Sequence, residues 1–462
     1  MKSSVESLDP TTVKLAVEIT PDEFATALEE VYQQVGQELT MPGFRRGKIP
    51  RPLIDRRVGR ANLVQHAVEL GIDGWITAAL REHSVRPLAP VELDVTKEAD
   101  PTAAEPDFEF AVTVEIAPPI DIPDISATTV TVDPGAASDE AVDAELDMLR
   151  GRFASLRTVD RPAAEDDFAT IDLTAEIDSV EVDSVSGISY QVGSGRLMDG
   201  LDEALDGLSA GETTTFETAL VAGEHGGSQA LITVRLTAVK ERELPPLDDA
   251  FAEMASSNDT VAELREDIRG QIEDRRRRSQ VSQARDRLID QLVETVEFPL
   301  PPKTLGREVA AAEAQAARTA AAQAGEQLGD EPSRRDVEKW LDDAAREQAQ
   351  DAAAKLVRSE LILDALVARF GVKPTAQDVL TLIGNIAVRS GIDPAAYLEA
   401  VRSSGELDSF YQEVARSQAL VAALRLVGVR EADGAVVDIV PLLDEQQSLE
   451  EIADNVTDLE DE

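Results

Sequence analysis

The densest chemistry in the chain lies in a short basic segment, Gly43-Phe44-Arg45-Arg46-Gly47-Lys48, followed by Arg51, Arg56, Arg57 and Arg60 around a single acid, Asp55. Elsewhere acids dominate: 90 Asp and Glu stand against 44 Lys and Arg, for a formal charge of -46. Positive potential is thus concentrated at one place on a negative surface, the arrangement that recognises an anionic partner locally. The two glycines let the segment turn sharply, which pushes Phe44 and its flanking charges outward. A solvated basic turn with Phe44 folded back on a local core is the alternative, and composition leaves both open.

Covalent chemistry finds little support. Cys is absent, which removes disulfides, thiol nucleophiles and thiolate metal sites and fits a reducing compartment. Nothing near His225 in the sequence orients it, so it reads as a surface residue in a Gly-rich loop. No Gly-x-x-x-x-Gly-Lys-Ser/Thr segment cradles a phosphate. Neither cofactor nor metal is expected. Arg275-Arg276-Arg277-Arg278 lies beside Glu273, Asp274 and Asp286 and reads as a solvated helix face. A charge of -46 excludes coating of nucleic acid along the chain, so DNA is not an expected partner. Residues 1–10 are polar and acidic, and no apolar run is long enough for a bilayer; no membrane partner and a cytoplasmic location are expected.

At 462 residues the chain exceeds what one core usually serves, so several domains must position these groups. Residues 1–116 begin with alternation at Val13-Lys14-Leu15-Ala16-Val17-Glu18-Ile19. A helix opened by Pro21 follows, with Phe24, Leu28, Val31 and Val35 on one face. The basic segment then interrupts. A second helical stretch passes through Leu53, Ile54, Leu63, Leu70 and Leu80, and alternation returns from Phe108 to Ile116. Pro118, Pro119 and Pro123 mark residues 117–150 as a linker, with a helix expected over 138–149. Residues 151–244 read as a small α+β domain, with strands at 169–174, 213–216 and 231–239 and a short helix at 200–208.

Residues 245–430 read as almost purely helical. Val261, Leu264, Ile268 and Ile272 keep helical spacing, and breaks fall at Pro299, at Gly371 before Pro374, and at Asp393-Pro394. Leu361, Ile362, Leu363, Leu366 and Phe370 are expected in a hairpin core rather than at the surface. No Lys or Arg follows Arg430, and residues 431–462 read as an acidic, disordered, dispensable tail.

Gly43, Phe44, Arg45, Gly47 and Lys48 match every fixed position of Gly-Phe-Arg-x-Gly-Lys, with Arg46 at the free one. The segment is similar to the ribosome-binding signature of trigger factors. Residues 193–202, Gly-Ser-Gly-Arg-Leu-Met-Asp-Gly-Leu-Asp, and 207–212, Gly-Leu-Ser-Ala-Gly-Glu, resemble one wall of an FKBP-like prolyl-isomerase site. The resemblance spans nearly the whole chain. It implies a multidomain α+β fold: an N-terminal α+β ribosome-binding domain, an FKBP-like α+β middle domain and an all-α C-terminal domain with helical arms.

The implied partners are the ribosome near the nascent-chain exit tunnel and nascent and unfolded polypeptides; self-association off the ribosome is left open. The implied enzyme is a peptidyl-prolyl cis-trans isomerase. Leu173, Ile188, Met198, Leu201 and Ile232 fall where the family places aromatic or large apolar pocket-lining residues, so a non-covalent site with weak activity is expected. A spacer with little catalysis is the competing reading of this domain. For the whole chain an ATP-independent holding chaperone leads, a protein that is chiefly an isomerase comes second, and an acidic histone-type chaperone using the tail is a weaker third.

Overall fold

Alternation at Val13, Leu15, Val17 and Ile19 puts four apolar side chains on one face of a strand, and all four are buried. In the computed structural model, which describes residues 1–42, 44–103, 106–178, 180–220 and 227–443, that strand sits inside an antiparallel sheet. Its members are β1 (Lys2–Asp9), β2 (Thr12–Ile19), β3 (Glu92–Lys97) and β4 (Phe108–Glu115), in the order β1-β2-β4-β3. Leu15 pairs with Val112 and Val17 with Phe110, so the two alternating patterns share one face. Helices α1 (Pro21–Glu38), α2 (Arg51–Val58) and α3 (Arg60–Glu82) cover it. Thr20 and Glu23 close a capping box at the start of α1, which satisfies backbone N–H groups that have no partner inside the helix. Phe24, Trp75, Phe108 and Phe110 form a chain of rings with centroids 6.1, 6.0 and 5.7 Å apart.

The chain divides into two units: Met1–Val132 with Gln280–Glu462, and Asp133–Ser279. This departs from the expected boundaries. Residues 117–150 are not a free linker. Ile122, Ile125, Val130 and Val132 are buried in the first unit, where β5 (Thr129–Val132) pairs in parallel with a strand 299 residues further on, Thr129 opposite Gly428. The rest opens the second unit, where α4 (Asp139–Arg152) is capped by Ser138. Its Val142 and Leu146 pack on Phe251 and on Leu264, Ile268 and Ile272. Residues 245–279 therefore belong with this unit rather than with the helical body.

Between α4 and α6 (Asp249–Ala255) the second unit holds β6 (Ser155–Val159), β7 (Phe168–Ile177), β8 (Val180–Gln191), β9 (Thr213–Ala219) and β10 (Gln229–Glu243), with the single turn α5 (Leu201–Leu205). The sheet runs β6-β10-β7-β8, and β9 also pairs with β10. All these pairings are antiparallel.

Helix α7 (Val261–Thr295) carries the chain from one unit into the other. In the first unit follow α8 (Pro302–Gln323), α9 (Arg334–Trp340), α10 (Asp343–Phe370), α11 (Ala376–Arg389), α12 (Pro394–Ser404), α13 (Leu407–Leu424) and β11 (Gly428–Glu431). Helices α8 and α10 pair through small residues, Ala317 and Ala321 against a face with Ala349, Ala353 and Val357. Leu361, Ile362 and Leu366 are core, and Leu363 and Phe370 are half-buried against it. A fully buried side chain of this size contributes about 2 to 3 kcal/mol. The tail reading fails for its first part: Ile439 and Leu443 are 3% and 1% exposed, and the Val437 N–H bonds the Val429 carbonyl at 2.9 Å. Apolar burial there outweighs the acidic composition. Residues 444–462, together with Gly43 and His225, lie outside the described residues. Among the described residues no helix is long and apolar enough to cross a membrane.

Candidate functional site

The segment after α1 is fastened at its base. The Gly47 N–H donates to the Gly36 carbonyl at 2.7 Å. Gly47 holds φ +75°, a left-handed conformation that a Cβ would strain. Ile49 is buried among the helices, and Pro50 precedes α2. Between these anchors the backbone turns twice, Phe44 N–H to the Met41 carbonyl at 3.2 Å and Lys48 N–H to the Arg45 carbonyl at 3.0 Å. The apolar and charged side chains therefore stand outward. Phe44 is 42% exposed, and Arg45, Arg46 and Lys48 are exposed beside it. Of the two readings the sequence left open, the ring is not folded into the core.

The lone acid of the cluster does not neutralise this tip. Asp55 accepts from the Tyr32 hydroxyl at 2.6 Å, and Arg60 donates to the same hydroxyl at 2.9 Å. Burial, reinforced by Asp55, holds the Tyr32 phenol above its ordinary pKa, so it remains a donor across the physiological range. Arg51 lies 5.3 Å over the Tyr32 ring and pairs with Glu29. Arg45, Arg46 and Lys48 form no ion pair among the described residues; Arg46 bonds only the Thr40 hydroxyl, at 3.3 Å. The tip thus presents an aromatic ring with unneutralised cations, which suits an anionic, partly apolar partner surface.

The five pocket candidates of the second unit do not line one surface. Leu201 and Ile232 are 0% and 1% exposed, and Leu173 is 8%. They form the packed core between α5 and the sheet, because Leu201 and Leu205 are the apolar face of that turn. Only Ile188 and Met198 remain half-exposed against this core. Phe216 of β9 joins them: it pairs across strands with Ile232, and its ring comes within 3.1 Å of where a Cβ on Gly200 would stand. Phe216 was not singled out from the sequence. Only its register with Ile232, a long-range property, reveals it.

The motif acid Asp202 is a fastener. It accepts from the Tyr190 hydroxyl at 2.8 Å and from the N–H groups of Gly193 and Gly195 at 2.7 and 3.0 Å; both glycines hold a positive φ, +87° and +62°, which glycine adopts without strain. Among the described residues no three His, Asp or Glu side chains converge as a metal group.

The helical body carries an uncovered apolar stripe. Helix α11 buries Val379, Ile383 and Ala387 against α12 and α13. Leu380 and Val388, with Ile392 just beyond the helix, remain 40%, 65% and 44% exposed. Between the first two lies Gly384, where a Cβ would meet nothing within 4 Å. Within the tetra-arginine run Arg275 and Arg277 are exposed and make only long ion pairs, at 3.7 Å, with Glu145, Glu273 and Asp274, whereas Arg276 is half-buried and donates to the Ala136 carbonyl.

A multidomain α+β chain with a cationic tip and exposed helical apolar surface is a protein that works by surface contact. The description "Bacterial trigger factor protein (TF)" matches residues 1–149, and that of its C-terminus matches residues 260–425. The trigger factor of Renibacterium salmoninarum is 39% identical over 439 residues, covering 95% of this chain and 90% of the relative. That of Bifidobacterium longum subsp. infantis is 41% identical over 452 residues, covering 98% and 94%. A solved trigger factor chaperone superimposes with a TM-score of 0.54 at 18% identity, over 92% of this chain and 99% of that one. The chain belongs to the trigger factor family of chaperones.

Proposed function

We propose that this chain docks on the ribosome beside the nascent-chain exit through Phe44, Arg45, Arg46 and Lys48, and that its helical body holds unfolded polypeptide without ATP. The observation that carries the docking half is the tip itself: a 42% exposed ring among cations that no acid of the described residues neutralises. Client holding rests on the stripe of Leu380, Val388 and Ile392, whose exposed aliphatic surface suits a partner without fixed shape. Co-sedimentation with ribosomes across a salt series tests the docking: exposed charge contacts are screened over about 8 Å at physiological ionic strength, so binding must weaken as salt rises. Binding unchanged by salt would remove the cations from the contact.

A second activity, isomerisation of X-Pro bonds, rests on two of the five expected residues, Ile188 and Met198, with Phe216 beside the core that takes up Leu173, Leu201 and Ile232. Ile188, Met198 and Phe216 are among the partly buried apolar groups packed against the middle domain's core. They can desolvate a proline ring and favour the twisted amide, which needs no nucleophile. With one aromatic among them, weak turnover follows. A proline-limited refolding assay tests it, and an uncatalysed rate would leave this domain a spacer.

A further inference from the structure

Within the first unit, α8, α9 and the start of α10 frame an open cleft of about 700 Å³. Ala316 and Ala320 of α8 and Ala345 of α10 line it with small side chains, beside Gln323, Glu338 and Trp340. The Trp340 Nε1–H is buried and meets no acceptor among the described residues. An indole can only donate, and buried donors in folded proteins almost always have a partner. The charges around it are already engaged. Glu338 accepts from Arg334 at 3.0 Å, Lys339 pairs with Glu326 at 2.9 Å, and Asp342 accepts from the Ala345 N–H at 2.8 Å. What remains for an occupant is an uncompensated donor, the exposed Gln323 amide and alanines that let a main chain come close. An uncharged acceptor, the carbonyl of a peptide group, complements that set. Lys339 lies over the Trp340 ring, 4.4 Å from its centroid. Both partners of its ion pair with Glu326 are more than half exposed, and such a pair contributes little, so the lysine can swing aside as a carbonyl seats.

We infer that this cleft binds the backbone of an unfolded polypeptide, with Trp340 Nε1 donating to one of its carbonyls. The inference deepens the holding reading above and rests on it. A peptide carbonyl is displayed by every unfolded chain, whereas a folded chain has nearly all of its buried ones paired. The cleft thus adds a contact that ignores client sequence to the aliphatic contact of Leu380, Val388 and Ile392, and it selects for the unfolded state itself.

Trp75 and Trp340 are the two tryptophans of the chain, so nitrogen-15 labelling of tryptophan in the full-length protein gives two indole signals, and Trp340→Phe assigns them. The probe is reduced, carboxamidomethylated lysozyme, which stays unfolded. At saturation the Trp340 indole proton should move downfield and exchange more slowly with water, while the Trp75 signal stays in place. Trp340→Phe keeps a ring and removes the donor, and should weaken binding of the probe about 3- to 10-fold, the loss of one hydrogen bond. Ala320→Leu fills the cleft from α8 with the indole signal retained; it should weaken binding and suppress the Trp340 shift, which keeps the test open should Trp340→Phe fold poorly. A probe that binds the parent without moving the Trp340 signal, or that binds the parent and both folded variants equally, would overturn the inference and leave the holding reading standing. Failure of the parent to bind the probe would remove both.

Discussion

The carboxylate of Glu115, at the end of β4, accepts from both donors of Thr304 at the start of α8, the backbone N–H at 2.8 Å and the hydroxyl at 2.6 Å. Its other oxygen takes the Lys303 N–H at 2.7 Å. Glu115 is 3% exposed and Thr304 8%, so the sheet supplies an acid to the first turn of a helix that begins 187 residues later. This suits the positive end of the helix and its unpaired N–H groups.

Glu115→Ala leaves those N–H groups and a hydroxyl buried without partners, and should cost about 2 to 4 kcal/mol. Glu115→Gln, which retains one acceptor oxygen, should cost less than half as much. Hydrogen exchange at the amides of Lys303 and Thr304 reads this directly. Protection in the alanine variant equal to that of the parent would show that the contact holds nothing.

In the middle domain, enlarging core residues is the wrong way to raise isomerase turnover. Leu201→Phe or Ile232→Phe inserts a ring into a space already filled and should destabilise that unit by about 1 to 3 kcal/mol. Met198→Phe, at a half-exposed position, should fold normally and accelerate proline-limited refolding. A slower or unfolded Met198→Phe with a faster Leu201→Phe would reverse the assignment.

Burial lifts the Tyr190 phenol above its ordinary pKa, with Asp202 adding to the rise. Tyr32 is lifted likewise, by burial first. A raised pKa in the folded state means stability that is complete below the unfolded pKa of about 10 and lost as pH climbs through the folded value. Ultraviolet titration should show late phenolate formation, and Tyr190→Phe should remove one late step. Full ionisation of every tyrosine at the ordinary value would contradict it.

Leu380→Ser with Val388→Ser and Ile392→Ser changes only exposed positions, so each substitution should shift stability by no more than about 0.5 kcal/mol. Suppression of aggregation of a refolding protein should nonetheless fall. Undiminished suppression by the triple variant would place client binding elsewhere on the chain.

Local pattern explains what was legible in the sequence. Val13 to Ile19 and Phe108 to Ile116 alternate because one face is buried, and Asp393 with Pro394 marks the start of α12 because both act within one turn. Strands β1 and β3 escaped notice because they are edges: Val5, Leu8, Leu93 and Val95 are 44% to 52% exposed, so burial imposes no strict pattern. β8, also at the end of its sheet, carries Ser184, Ser186 and Ser189 for the same reason. The boundary near residue 280 falls inside α7, where the backbone gives no punctuation and only the packing partners change. Pro118, Pro119 and Pro123 suggested a linker, but Val130 finds its partner at Val429, a pairing no local window contains. At the tip, the motif was plain while the exposure of Phe44 was not, because that depends on Gly47 meeting Gly36 and on Ile49 anchoring the return.

The docking claim meets its most direct test in ribosome co-sedimentation of Phe44→Ala with Arg45→Ala and Lys48→Ala. The three side chains are exposed at a loop tip and belong to no core, so the fold should persist while removal of the ring and two cations weakens ribosome binding at least about tenfold, about 1.4 kcal/mol. A folded triple variant that sediments with ribosomes as the parent does would contradict the assignment of this tip.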